Sequence, residues 1–310
     1  MYSLPTAYCF LPSLLSSFIA AALIPALVRI IYNNRLVEAA KARGAVVSPA
    51  SLYGRGVFTT IAIYDHHPFL WNEHWARLME HAARVGVDTG ELDEETVRSL
   101  LLQLIEANRV DDGLARLTLF AASEHGIWKI EGIDDERKTD LLIMTTDAQV
   151  VSEDGLALTV SPYRANPLSP LASVKSINYL EHILAREEAR SRDFDEAVTL
   201  NERGEIASAT MANIFWVADG HVHTPALNTG AVAGTTRARV IELAHELSIP
   251  LVEGVYELSA LSEANEIFLT SASQGIRIIT TFDFHSYTIT VGSIAPRLHE
   301  AFRQLTLRVD

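Results

Sequence analysis

The chain has 310 residues, 48% of them apolar, enough to build real cores and, at about 150 residues per domain, two domains. Its formal charge is −14, from 25 Lys and Arg against 39 Asp and Glu, so binding to nucleic acid or an anionic membrane through bulk charge is excluded. The single cysteine, Cys9, rules out an internal disulfide framework and a cysteine-based zinc site, and it suits a reducing cytoplasm.

No charged residue occurs between Met1 and Val28, and FLPSLLSSFIAAALIPALV is mostly apolar. A transmembrane helix of about 20 residues would fit, but Pro12, Pro25 and the serines weaken it. A signal peptide would need a basic n-region, which is missing. The third reading places the true start near Val28, since a GTG start codon encodes valine internally. Residues 1–28 are therefore expected to lie outside the fold, as an anchor or a mis-assigned start, with membrane contact only in the first case.

From Arg29 onward the pattern is mixed α/β. RIIYNNRLVEA reads as two strands about an Asn-Asn turn, and VFTTIAIYDHHPFL as a hairpin around Asp65, His66 and His67. Asn72 is expected to cap a helix carrying Trp75, Leu78, Met79 and Ala82, and a second helix runs from Glu94 to Ala107. ARLTLFAAS and DLLIMTTDA are strand-like. The polar stretch from Asp147 to Gly155 predicts a linker between domains at 29–149 and 150–310. Beyond it come the strand LALTVS, an irregular segment SPYRANPLSPLAS, and a helix burying Ile177, Leu180, Ile183 and Leu184. Strands EAVTLN, NIFWVADGHVHTP and EIFLTSA then alternate with a helix over 236–247.

Two features could carry chemistry. The chain holds only Lys41, Lys129, Lys138 and Lys175. Lys175 alone sits in apolar surroundings, ahead of a helix. Burial would lower its pKa and make it the nucleophilic amine that Schiff-base chemistry needs. A helix-start lysine with its stem packed and its head in water has the same pattern. In GAVAGTTRARVIELAHEL, Gly234, Thr235 and Thr236 enter a helix whose N–H groups and dipole suit an anion, though threonine there is also ordinary capping. No Gly-Lys-Ser/Thr, Gly-x-Ser-x-Gly or Gly-x-Gly-x-x-Gly occurs. The His221/His223 pair lacks a third ligand, so no metal site is expected.

These elements, in this order, resemble the class IV aminotransferases, pyridoxal-phosphate enzymes of fold type IV. LYGRGVFTTIAIY resembles the family's early glycine-rich strand, NEHWARL its arginine-bearing helix, VKSINYLEHILAREEA its lysine segment, ANIFWVADGHVHTP the next hairpin, and AGTTR the phosphate-binding helix start. The resemblance implies a smaller N-terminal α/β domain, a larger C-terminal domain, pyridoxal 5′-phosphate at their junction, a small amino substrate and a homodimer. It implies that Lys175 joins the cofactor as a Schiff base and shuttles the substrate proton. Arg77, Thr235 and Thr236 would bind the phosphate, with Ser271 and Ser273 as further donors, and Tyr179 would lie near the phenolic oxygen.

Ser208 stands where the family usually has a glutamate that stabilises a protonated pyridine nitrogen. A serine hydroxyl can hydrogen-bond an unprotonated nitrogen but supplies no negative charge, so the electron sink is expected to be shallower. Phe58-Thr59-Thr60 and RANPLSPLASVK resemble aminodeoxychorismate lyase, whereas Ala121-Ala122 replaces a common Arg-Gly. The expected activity is therefore lyase-like, eliminating pyruvate to give p-aminobenzoate. The alternatives are an aminotransferase of D-amino-acid or branched-chain type, or a non-catalytic relative.

Overall fold

The Asn33–Asn34 turn, with both residues at positive φ (48° and 62°), closes the first hairpin in the left-handed pair that a two-residue turn needs. The computed structural model describes residues 28–122, 138–148, 155–283, 285–288, 290 and 292–308. The hairpin strands are β1 (Arg29–Tyr32) and β2 (Arg35–Glu38), followed by the short helix α1 (Pro49–Tyr53). A second turn at Asp65 and His66 joins β3 (Gly56–Tyr64) to β4 (His67–Pro68). Helices α2 (Trp71–Arg84) and α3 (Glu94–Asn108) precede β5 (Gly113–Ala121) and β6 (Thr139–Asp147). These strands form one antiparallel sheet in the order β2-β1-β6-β5-β3-β4. Leu78 of α2 and Leu101 and Leu104 of α3 pack on Ile61, Ile63, Leu117 and Ile143 of the sheet.

The second half is built from β7 (Leu156–Ala165), α4 (Leu180–Ser191), β8 (Glu196–Asn201), β9 (Ile206–Ala209), β10 (Asn213–Ala218), β11 (His221–Pro225) and α5 (Thr235–Glu246). Then follow β12 (Leu251–Gly254), α6 (Ser259–Ser262), β13 (Glu266–Ser271), β14 (Gly275–Phe282), β15 (His285–Ser286) and α7 (Ile294–Thr306). The sheet runs β12-β11-β10-β13-β14-β7-β8-β9, with β15 on β14. Its β11/β12, β14/β7 and β7/β8 pairs are parallel. Phe215 and Phe268 stack at 5.0 Å and meet α5 and α7 through Val240, Leu243, Leu298 and Phe302 on one face. Trp216, Ile267 and Leu269 face the other way into a separate core. The architecture is mixed α/β, as expected.

Several local expectations change. Asn72 lies inside α2, whose N-cap is Leu70 at positive φ, with no side-chain cap. β7 continues through Ser161–Ala165, so the start of the segment read as irregular is strand. Helix α4 starts at Leu180, which leaves Ile177 ahead of it. That helix buries Ala185 and Ala189, while Leu180 is 66% exposed and Leu184 46%. Small residues let it lie close on β7 and β8, so the leucines face outward. The helix read over 236–247 spans Thr235–Glu246. The sequence reading passed over β9, β12, β14 and α7. The heart of the expected linker (149–154), Lys129 and residues 1–27 lie outside the described residues. Among the described residues no helix is long and apolar enough to cross a membrane.

Candidate active site

Gly56 opens β3 with no side chain, and the segment bearing Lys175 lies along that strand. Phe58 donates its N–H to the Lys175 carbonyl at 2.9 Å, and Ile177 donates to the Gly56 carbonyl at 3.0 Å. A third tie comes from α2, where His81 Nδ1 accepts the Lys175 backbone N–H at 3.1 Å. Burial, with Arg77, Arg84 and Lys175 nearby, pushes the His81 pKa down to about 4, so the ring is neutral and can accept. Lys175 is thus fixed by its backbone, and its side chain enters a cavity of about 800 Å³.

Within that cavity Lys175 Nζ donates to Tyr179 Oη at 3.2 Å and lies 4.6 Å from the Phe58 ring centroid. Burial first, then the positive charges of Arg77 and Arg116, brings the Lys175 pKa down to about 7. The amine is therefore substantially unprotonated near neutrality, as a nucleophile requires. Burial, with Glu196 adding, pushes the Tyr179 phenol up to about 12. Tyr179 stacks on His182 at 4.4 Å, and His182 Nδ1 donates to the Thr210 carbonyl at 2.9 Å.

Opposite lies the start of α5. No side chain caps its first N–H groups, and Gly234 allows the approach of Asn213, whose Oδ1 would lie 2.1 Å from a Cβ at that position. Arg77 reaches this point from α2, donating Nη1 to the Ala233 carbonyl at 3.2 Å and Nη2 to Thr59 Oγ1 at 2.9 Å. Its Nε is buried without a hydrogen-bond partner among the described residues. Desolvation lowers the Arg77 pKa to about 10, which still leaves it charged at neutral pH. A buried guanidinium with an orphaned N–H beside an uncapped helix start is a fit for phosphate, and a buried amine of lowered pKa is a fit for an aldehyde.

The residues expected to hold the cofactor come together: Arg77, Lys175, Tyr179, Ser208, Thr235, Thr236, Ser271 and Ser273 all line the cavity. Ser208, opposite Thr199 on β8, is half-buried. The pair Ser271 and Ser273 share a hydrogen bond at 3.2 Å. Sequence reasoning gave no part to Arg186, Glu196, His74 or His81. Glu196 lines the cavity but is committed to the turn after β9, accepting from the N–H groups of Ala197 and Thr210 at 3.0 Å and from the Thr210 hydroxyl. Burial pushes its pKa up. His74 and His81 stand at i and i+7 about Arg77, a spacing that in sequence shows only a mixed helix face. His221 and His223 lie away from the cavity, His223 stacked on Trp216 at 5.7 Å.

A PLP-enzyme architecture of fold type IV accounts for two sheets of this topology with a lysine and an anion site in one cavity. A family model described as amino-transferase class IV matches residues 56–282. The chain belongs to that family, whose members are pyridoxal 5′-phosphate-dependent aminotransferases and lyases. It is 32% identical over 286 residues to a Methanocaldococcus jannaschii protein provisionally named a branched-chain-amino-acid aminotransferase, covering 89% of this chain and 96% of the relative. It is 27% identical to aminodeoxychorismate lyase of Bacillus subtilis, covering 88% and 92%. Among solved structures, the branched-chain amino acid aminotransferase of Escherichia coli superposes with a TM-score of 0.82 at 28% identity, covering 90% of this chain and 95% of that one.

Proposed function

We propose that the chain is a lyase of the aminodeoxychorismate type, eliminating pyruvate from an amino substrate and leaving p-aminobenzoate. Lys175 is the amine that takes the cofactor covalently and then carries the substrate proton. Arg77, the start of α5 with Thr235 and Thr236, and Ser271 hold the phosphate. With the cofactor bound, Tyr179 would lie by its phenolic oxygen and Ser208 by its ring nitrogen. When bound, pyridoxal phosphate supplies an aldehyde carbon and a ring that accepts an electron pair.

The observation that carries the lyase reading is Ser208. It lines the cavity and holds the position at which the family's motif has a glutamate, and Glu196, which also lines the cavity, is already engaged by Thr210 and Ala197. Ser208 would offer the ring nitrogen of a bound cofactor no counter-charge, which would weaken the ring's pull on electrons. Aromatisation of the product supplies driving force that amine transfer lacks. The substrate of such a lyase is a dicarboxylate. Arg116 lines the cavity, as does Arg186, whose Nε is buried without a partner among the described residues.

A second reading, an amino-acid aminotransferase, is favoured by the names of the M. jannaschii and E. coli relatives. We place the two sheets in two domains, 29–149 and 150–310, and the working enzyme in the cytoplasm as a homodimer, with the exposed Leu180 and Leu184 face of α4 available to a second copy. The test is to supply aminodeoxychorismate and, separately, an amino acid with a 2-oxo acid. Pyruvate release is expected in the first. Amine transfer alone would replace the lyase with the aminotransferase, and failure of borohydride to fix the cofactor on Lys175 would overturn both.

A further inference from the structure

His74 is 1% exposed and sits between the two halves of the anion site. Its Nδ1 lies 2.7 Å from Thr59 Oγ1 and 3.5 Å from Arg77 Nη2, and its Nε2 lies 3.1 Å from Thr235 Oγ1. Arg77 also donates to Thr59 Oγ1 at 2.9 Å. A guanidinium has only donors, so both of these Arg77 contacts, at Thr59 Oγ1 and at His74 Nδ1, meet a lone pair.

Thr59 accepts from Arg77 and has its own proton to give. Nδ1, approached by both the Thr59 hydroxyl and an Arg77 N–H, must offer a lone pair. The ring is neutral, because burial, then Arg77 and Lys175, holds its pKa well below the usual histidine value. A neutral ring with a bare Nδ1 carries its proton on Nε2, and that nitrogen faces Thr235 Oγ1, which accepts it. We propose that His74 is a positioning residue, held as the Nε2–H tautomer, which makes Thr235 an acceptor on its inner side and so turns the Thr235 hydroxyl proton into the cavity, toward the anion at the start of α5. No proton is transferred along the chain; each bond fixes the orientation of the next.

The inference rests on the phosphate site proposed above and can fail separately from it. In the full-length holoenzyme with nitrogen-15-labelled histidine, the His74 signal is identified by its loss in His74→Gln. The expected result is a protonated Nε2 and a bare Nδ1 throughout the neutral range. A proton on Nδ1, or an imidazolium, in a protein whose Lys175 still traps the cofactor would overturn this proposal alone.

Affinity gives the second arm, measured for pyridoxal phosphate and for phosphate-free pyridoxal. In His74→Asn the shorter amide reaches Thr59 but not Thr235, so affinity for the phosphorylated form falls about tenfold while that for pyridoxal holds. His74→Gln, which carries an N–H where Nε2 lies, restores it. In a Thr235→Val background the Asn change costs nothing further. Equal losses for both ligands, or fully additive losses with Thr235→Val, would overturn the relay.

Discussion

Lys175 Nζ lies 3.2 Å from Tyr179 Oη, four residues along the chain, and the two groups shift in opposite directions. Desolvation drives both: it disfavours the ammonium, bringing Lys175 down to about 7, and disfavours the phenolate, raising Tyr179 to about 12. Near neutral pH the pair is amine and phenol. Attachment of the cofactor to Lys175 should therefore speed up as pH rises, with a midpoint about 7, followed by the growth of visible absorbance. Arg116 also holds the lysine down, so Arg116→Gln should move the midpoint upward, though only in part, because burial is the larger cause. Stability has the same sign. Between about 7 and the ordinary lysine value of 10.5 the unfolded chain binds a proton that the native cofactor-free chain does not. Its unfolding free energy should therefore rise with pH across that window. A flat denaturation midpoint there would contradict the burial of this amine.

Arg77 should discriminate between cofactor forms. Its orphaned Nε and its bonds to Thr59 and Ala233 put a fixed guanidinium at the start of α5. Arg77→Met should cost about 2 kcal/mol, roughly thirtyfold, in pyridoxal phosphate affinity and leave phosphate-free pyridoxal nearly unaffected. Arg77→Lys should recover little, since a point charge cannot reproduce the fork. Titration of cofactor-free protein with the two aldehydes measures both.

Gly56 should be intolerant of any side chain. An added Cβ would meet the Leu119 carbonyl oxygen at 2.6 Å and Ile177 Cδ1 at 2.9 Å, the first of these being backbone that cannot swing away. Gly56→Ala is expected to destabilise by about 1–3 kcal/mol, read by thermal or denaturant unfolding. Because Gly56 also accepts the Ile177 N–H, the change should displace the Lys175 segment and slow cofactor attachment in the molecules that remain folded.

How much of this could be read without coordinates depends on where the signal sat. Lysine is so scarce that Lys175 stood out by its surroundings, and the ordered motifs brought Arg77, Thr235 and Thr236 to one site. The turns at Asn33–Asn34 and Asp65–His66 were legible because those residues tolerate positive φ. The polar side of α2 was not legible. His74, Arg77 and His81 follow a helical period, but a buried polar stripe and a solvated one look alike until their hydrogen-bond partners, Thr235, Thr59 and the Lys175 backbone N–H, are placed by distant segments. Helix α4 misled for the opposite reason: its apolar residues are periodic, yet tight packing on β7 and β8 selects the alanine face. Periodicity finds a stripe and does not say which side faces inward.

Substitution of Ser208 should separate the two activities. It is half-buried on β9 at the edge of a cavity of about 800 Å³, so a longer side chain has room to extend from it. In Ser208→Glu, a carboxylate beside the cofactor's ring nitrogen would favour the protonated ring and deepen the electron sink. Amine transfer depends on that sink alone and should gain about tenfold, equivalent to about 1.4 kcal/mol off the barrier. Pyruvate elimination already has aromatisation behind it and should gain much less. Both rates can be followed on one preparation, pyruvate by a coupled dehydrogenase and amine transfer by the 2-oxo acid formed. Unequal gains in that order would show that serine here is matched to an elimination. Equal gains would mean that ring protonation limits both reactions alike, and the preference for a lyase would lose its physical basis.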